Sequence, residues 1–584
     1  MTKKKKLILV GLSVVLFAFL VSGNVLDQSL LALQENNKYK CKLDSYDRFG
    51  WKWSLTEVIS TESDGESSIC KALFDSDGNI HIVWVDFSDY DGSGTDSDIF
   101  YKRWNILTES WTTAEVVSTE STFDSSNPSF AIDSSGNIHV CWDDQTNYAG
   151  AGTDFDIFYK YRDALTSSWN DTELISHGSN LNSFTPSLGV DSAGNVHIVW
   201  RDPTNYVGSG TDDDIACRRW NATTSSWSLI EVVSTQSNLL SVAPDLYIDS
   251  NDKVHVAWHD YTDFGGAGAD EDIFYKSWEN PSTSWSNTEV VSTESTSDSR
   301  YASLIVDYVG NVHVIWHDTT DLTVSDAEYD IFYKYKDTLS SLWTTTEEVS
   351  IESVTGAAYY SSLSADNSGN IHVAWHDNTI YASSDSDIDI FYKRKDAVSS
   401  AWTTTDVIST ESTGHSRYPS INVDNFGIVH AFWDDYTNYG GSGGDRDIFY
   451  KRLSGVPNSP DLAYIVPNPD EDGSVNIEWN DVYGADMYYV YRSSSYISSI
   501  DGLTPIHSTS TSSYIDSLPS TGFYYYVIVA ENYVGLSALS NCQYIEYKIP
   551  SLSEFAITLG IIGGTTLILI VISNIRKKKK KIDI

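Results

Sequence analysis

The sequence predicts an all-β protein: a seven-bladed β-propeller closed by an N-terminal strand, then a smaller β domain and a C-terminal transmembrane helix. Three observations predict it. A nine-residue stretch recurs seven times, as in GNIHVAWHD (Gly369–Asp377), GNVHVIWHD (Gly310–Asp318) and GIVHAFWDD (Gly427–Asp435). The tryptophans Trp53, Trp111, Trp169, Trp227, Trp285, Trp343 and Trp402 follow one another at intervals of 58, 58, 58, 58, 58 and 59 residues. Within each period lie four short runs of Val, Ile, Phe, Tyr, Trp and Thr, bounded by Gly, Ser, Asn and Asp. Such runs are strands and their bounds are turns, and a four-stranded unit of this length repeats as a propeller blade.

Residues 1–23 open with Lys3–Lys6 and continue into an apolar run that ends in small residues, the pattern of a secretory signal or signal anchor. Residues 24–52 read as a linker. The propeller is expected over 53–453. In its second unit the strands are PSFAID (Pro128–Asp133), IHVCWDD (Ile138–Asp144), DIFYKYR (Asp156–Arg162) and WNDTELIS (Trp169–Ser176). The first such segment in the chain is a fourth strand, WSLTEVIS (Trp53–Ser60), and the last unit stops after its third strand at Leu453. The N-terminal strand therefore completes the last blade and removes an exposed sheet edge.

A linker at 454–460 leads to a domain at 461–547. Residues 555–573 are uncharged and apolar, long enough to span a bilayer, and the basic tail 574–584 follows. By the positive-inside rule the tail is cytoplasmic and the large domain lies outside a cell membrane, single-pass.

The chain carries 37 basic against 81 acidic residues, a net charge of −44. Ten of the basic residues sit in the two ends, so the body between them has a balance of −53. That excludes nucleic acid as a partner and suits either a solvated surface or divalent cations. Cys41, Cys70, Cys141, Cys217 and Cys542 form no regular disulfide framework,.

The turns YRDALTSSW, YKDTLSSLW and RKDAVSSAW resemble degenerate Asp-box (BNR) repeats of sialidase-like propellers, with Ser or Thr where that box has glycine. The resemblance implies the fold rather than the activity, and sialidases have six blades. That family uses an arginine triad, a Tyr–Glu nucleophile pair and an Asp acid. Arg300 and Arg417 are the arginines this sequence offers, with Arg201 and Arg446 as outliers. The first blade reads SSICKAL, without arginine, and no Tyr–Glu pair can be assigned. No catalytic residue is named. Residues 461–547 resemble a fibronectin type III domain, with Trp479 as its core tryptophan and Tyr524, Tyr526 and Val527 in its tyrosine-rich strand. That likeness implies a spacer or interaction module.

One histidine recurs per blade: His81, His139, His197, His255, His313, His372 and His430. A position repeated seven times is a packing position, expected to bond a backbone group or a carboxylate. The Trp–x–Asp that follows reads as a core residue plus a strand-end turn former. Function is then expected where blades differ, in loops. Five loops between second and third strands share a pattern: DYDGSGTDSD, NYAGAGTDFD, NYVGSGTDDD, DFGGAGADED and NYGGSGGDRD. Their aromatics Tyr148, Tyr206, Phe264 and Tyr439, with Arg300 and Arg417, are the expected ligand-binding residues.

Their paired carboxylates are Asp96 and Asp98, Asp154 and Asp156, Asp212 and Asp214, Asp270 and Asp272, and Asp445 and Asp447. They offer the oxygen ligands that calcium takes. GGAGADED resembles the calcium-binding RTX nonapeptide, except that Asp272 stands where an apolar residue belongs. The competing reading is that Gly and Asp only build the loop and start the next strand.

The expected function is a membrane-anchored recognition or adhesion protein that binds glycan or protein ligands through its loop face. The alternatives are a sialidase-like glycoside hydrolase and a structural cell-envelope protein.

Overall fold

The computed structural model describes residues 51–549, apart from 207, 269, 280–283, 321, 323–327, 354–355, 383 and 385–386. The expected signal, the transmembrane segment, the basic tail and nearly all of the first linker lie outside the described residues. Among the described residues no helix is long and apolar enough to cross a membrane.

The chain is all β, and its larger part is β-propeller-like. Seven antiparallel sheets follow one another; six are built from consecutive strands, and the seventh joins the chain's first two strands to the last three of the ring. In the first, Ser67–Phe74, Ile80–Asp86 and Asp98–Asn105 are followed by two short pairings at Ser110–Trp111 and Glu115–Val116. Apolar clusters bridge successive sheets. The one holding Cys70, Ile82 and Trp84 of the first sheet also holds Phe432, Ile448 and Tyr450 of the last, so the row of blades closes into a ring.

The chain's start makes that closure. Lys52–Trp53 and Glu57–Val58 pair with Asp447–Ser454, the third strand of the last blade, in the register Trp53↔Leu453 and Val58↔Phe449. Between these pairings Ser54 N donates to Arg452 O at 2.8 Å, and just past the second Ile59 N donates to Ile448 O at 2.7 Å. The expected eight-residue fourth strand is thus interrupted, here and in other blades. Side chains take over part of its ladder: Arg452 N donates to Ser54 Oγ and Ile448 N to Ser60 Oγ. Short polar side chains compete for backbone groups in this way.

The first strand also differs from expectation. In the second blade it runs Ser125–Ile132 and begins before Pro128. It carries a bulge at Asn127, where φ is +48°. The same bulge recurs at Ile69, Thr185, Ala243, Tyr301, Tyr360 and Tyr418, all with φ between +46° and +51°. These are strained conformations for non-glycine residues, Ile69 and Thr185 above all.

Repeated residues do structural work. Trp84 Nε1 donates to Asp86 Oδ2 at 2.7 Å, Ser67 Oγ donates to the same oxygen, and Asp86 Oδ1 accepts from Ser88 N. The tryptophan–aspartate bond is present in all seven blades. His81 Nδ1 bonds Tyr101 Oη at 2.8 Å and its Nε2 bonds Asp75 at 3.1 Å. In the third blade Cys217 replaces that tyrosine, and His197 Nδ1 is left buried without a partner.

Blades are stapled by a buried lysine. Lys102 donates to Ile59 O, Thr61 Oγ1 and Glu62 Oε2 on the preceding blade's fourth segment. Lys160, Lys334, Lys393 and Lys451 repeat this, each with a glutamate. Lys276 has only Val233 O and Thr235 Oγ1, because Gln236 stands in the glutamate's place. Burial pushes its ammonium down to about 8,.

The second domain is a β-sandwich. Ser474–Glu478 pairs with Ser513–Ser517 in one sheet; His507–Thr509, Met487–Ser493, Gly522–Glu531 and Gln543–Tyr547 form the other in that order. Trp479 is buried between them against Tyr488. Tyr524 Oη donates back to Ser520 O at 2.8 Å. The sandwich touches the ring at its closure: Tyr533 Oη lies 3.1 Å from Lys52 O, 3.0 Å from Arg452 O and 2.8 Å from Ser454 Oγ.

Two tests follow from these contacts. Deleting residues 53–60 removes fully buried Ile59 and the buried Ser60–Asp447 bond, worth together about 4 kcal/mol. The expected outcome is a large fall of the whole propeller's melting temperature, and an unchanged melt contradicts the closure. Gln236→Glu restores the missing staple partner and is expected to stabilise by about 1 kcal/mol at pH 7. Lys276 is held below its unfolded value, so the original chain gains stability as pH rises from about 8 toward 10.5,. The variant is expected to lose that gain in a pH series of thermal melts.

Candidate functional site

The strain at the seven bulges has a partner in the x position of Trp–x–Asp. This residue lies across from the start of its own blade's bulge, as in Arg300↔His317 and Arg417↔Asp434. It reaches to the next blade. Asp143 Oδ2 accepts from Thr185 N at 2.8 Å. His259 Nδ1 accepts from Tyr301 N, and His376 Nδ1 from Tyr418 N, both at 3.3 Å. In these three blades the x residue caps the strained amide of its neighbour. The seven x residues are Val85, Asp143, Arg201, His259, His317, His376 and Asp434.

Three consecutive blades depart from the rest together. Their bulge residues are Tyr301, Tyr360 and Tyr418, whose ring centroids are 4.8 Å apart from one to the next. Beneath them lie His317 and His376, 5.4 Å from Tyr301 and Tyr360 respectively. Arg300, Tyr329, Tyr359, Ile388 and Arg417 complete a cavity of about 480 Å³. A second cavity of about 350 Å³ continues from the same tyrosines along the inner strands, past Pro128, Pro186 and Asp245. The site is a mouth on the ring's inner edge.

Its electrostatics are uneven. Arg300 forms a two-pronged ion pair with buried Glu271, at 2.6 and 2.7 Å, and also meets Asp298 and Tyr329. Those partners push the guanidinium above its ordinary range. Arg417 Nε is buried without a hydrogen-bond partner. His259, His317 and His376 are each held down at about 3, by burial first and then by neighbouring arginines or histidines. They are neutral at pH 7. Unlike His259 and His376, His317 has its Nδ1 buried without a partner. Asp434, beside Arg417, is pushed up to about 7 by burial.

The structure thus brings Arg300 and Arg417 to one cavity. The loop aromatics go elsewhere. Tyr148 packs on Phe158, Phe264 on Phe274 and Tyr439 on Phe449, and Tyr206 Oη donates to Asp202 at 3.0 Å. All four are half-buried plugs between a loop and its own blade, because the glycine turn folds back over the third strand. Sequence reasoning missed Tyr301, Tyr360, Tyr418, His317 and His376. The signal was present: a variable position flanked by invariant Trp and Asp.

The loop carboxylates stand at the start of each third strand. Asp98, Asp156, Asp272 and Asp447 are nearly inaccessible. Burial, only partly offset by a serine hydrogen bond, pushes the first three up to about 7 and Asp447 to about 6. Among the described residues no group of three or more His, Cys, Asp or Glu side chains stands at metal-binding spacing.

No protein-family model matches the chain, and no curated protein matches it. Among similar solved structures is a protein of unknown function from Dyadobacter fermentans, 10% identical, covering 70% of this chain and 99% of its own, with a TM-score of 0.42. A fungal alcohol oxidase of the AA5 family in complex with copper is 12% identical, covers 85% of this chain and 100% of its own, and scores 0.45. The NanB sialidase from Streptococcus pneumoniae is 11% identical, covers 69% of this chain and 70% of its own, and scores 0.37. All three scores lie below 0.5, and the architecture rests on the strand pairings above.

The neutral histidines give a signed prediction. As pH falls through about 6.5, the unfolded chain binds protons that these folded imidazoles refuse until about 3,. Stability present above pH 6.5 is therefore lost across that window. The raised carboxylates act in the opposite direction, so a difference isolates the effect. His317→Gln is expected to gain on the original chain, in melting temperature, progressively between pH 6.5 and 3. Histidine NMR at pH 5 is expected to show these three rings neutral, and titration near pH 6.5 contradicts it.

Proposed function

We propose that this chain is a recognition protein displayed outside the cell, and that its ligand, a glycan, sits in the Tyr–His–Arg mouth. On this reading the ring is a seven-bladed propeller closed by its N-terminal strand. The sandwich is a fibronectin type III spacer, and the apolar residues 555–573 anchor the protein in the membrane. The spacer reading is supported by the buried Trp479 and by the bond from Tyr524 back to Ser520 O, a feature of such sandwiches.

One observation carries the functional reading. In a ring of near-identical blades, three neighbours replace small or aliphatic mouth residues with tyrosines over neutral histidines, and two of the three add an arginine. Tyr301 keeps 39% of its surface exposed. Aromatic faces stack on the apolar faces of sugar rings, while hydroxyls and guanidinium groups meet sugar oxygens. The orphaned Nδ1 of His317 accepts a hydrogen bond from a hydroxyl. Capping alone does not call for histidine, since Asp143 caps its bulge equally well.

The test is a glycan array and pulldown with the full chain. Tyr360→Ala and Arg417→Ala are each expected to weaken binding about tenfold or more, a loss of about 1.4 kcal/mol or more. Retained binding in both variants contradicts the site. Turnover of sialosides, abolished by Arg417→Ala, moves the function to hydrolysis.

A further inference from the structure

The five glycine loops share an anomaly that the mouth does not use. In each, the second aspartate of the pair has one oxygen satisfied and the other stranded. Asp156 Oδ1 accepts from Ser176 Oγ, which pins the carboxylate, while Oδ2 is buried and has no partner. Asp98, Asp214, Asp272 and Asp447 repeat this, pinned by Ser118, Ser234, Ser292 and Ser60. These side chains are 97–99% inaccessible. A buried carboxylate oxygen without a donor is costly, and the cost is greatest at Asp156 and Asp272, whose loops carry no serine.

The surroundings offer charge of one sign. The carboxylates that bear on Asp156 are Asp154 of its own loop and Asp202, which ends the second strand of the next blade. In the first, third and seventh blades the loop serine, Ser93, Ser209 or Ser442, stands close enough to bear on Asp98, Asp214 or Asp447; in the second and fourth blades an alanine takes that place, and the oxygen of Asp156 or Asp272 has no donor beside it. The loop itself is wound around the first aspartate. Gly152 has φ +109°, and a Cβ there would stand 2.8 Å from Asp154 Oδ1. The same approach, at 2.5–2.8 Å, recurs at Gly94, Gly210, Gly268 and Gly443. The two remaining blades serve as an internal comparison. Asp330 and Asp389 receive the same serine bond, at 2.7 and 2.6 Å, but their loops lack the glycines. Neither is among the carboxylates left with a stranded oxygen.

We infer that each glycine loop holds one calcium ion, bound by the stranded oxygen, by the first aspartate and by loop carbonyls. Calcium suits the donor set, which is all oxygen, irregular and partly backbone. Three side-chain ligands do not converge, so backbone and water supply the rest, as in weak extracellular sites with Kd on the order of 10⁻⁴ to 10⁻³ M.

The test is calorimetric titration of the full chain with calcium chloride, paired with thermal melts. About five equivalents are expected, with a rise in melting temperature. Asp154→Asn, at a half-exposed position, is expected to remove one equivalent. Asp156→Asn is expected to remove the same equivalent and to raise the metal-free melting temperature. No heat and no thermal shift at about 10 mM calcium, tenfold above that Kd range, overturns the inference. So does an unchanged stoichiometry in the Asp154→Asn chain.

Discussion

Everything in this structure depends on closing the ring. A blade is only four strands wide and cannot bury both faces alone; each borrows its core from its neighbours. The lysine staples show the dependence most directly, because each buried ammonium is satisfied only by the preceding blade's fourth segment. Lys102 of the first blade finds its partners at Ile59, Thr61 and Glu62, which belong to the last. Without that closing segment, Lys102 is a buried charge with nothing to hold it. Tyr533 then ties the second domain to the same seam, so the chain's two described domains meet where the ring is joined.

A ring so constrained leaves little freedom within each period. The Trp–Asp and His–Tyr pairs recur because they solve the same packing problem in each blade, and where one partner is lost, as with Cys217, the other is left unsatisfied. Freedom survives where a position's structural duty can be met by many side chains. The x residue of Trp–x–Asp is not held to one chemistry: Asp143, His259 and His376 accept from the next bulge, while Val85 and Arg201 offer no acceptor at all. The bulge residue need only tolerate a left-handed φ, and tyrosine does. The candidate ligand site is assembled from these two permissive positions, on three adjacent blades, at the inner edge where successive blades come closest.

Much of the architecture was legible in the sequence. The period of 58 residues, the four strands and the offset that makes the first segment complete the last blade all follow from repetition and turn chemistry. The role of the repeated histidine was legible too, although its tyrosine partner, twenty residues on in the next strand, was not. The bulge left no period-two signature, since Tyr301 and Tyr360 simply look like strand residues. The packing of the loop aromatics was not legible: in sequence they sit among glycines and look exposed, and only the fold shows the turn carrying them back onto Phe158 and its equivalents. The fourth strands read as continuous because Trp, Thr and Val favour strands, whereas serine, threonine and asparagine side chains in fact break their ladders.

Native-state hydrogen exchange at the closing segment tests the central claim most directly. The amide of Ile59 bonds Ile448 O as the amides of Val117, Ile175 and Val233 bond their own third strands. If the ring is one closed unit, Ile59 exchanges as slowly as those three, and only through global unfolding. Rapid exchange at Ile59, with the other three still protected, would mean that the ring is open at its seam.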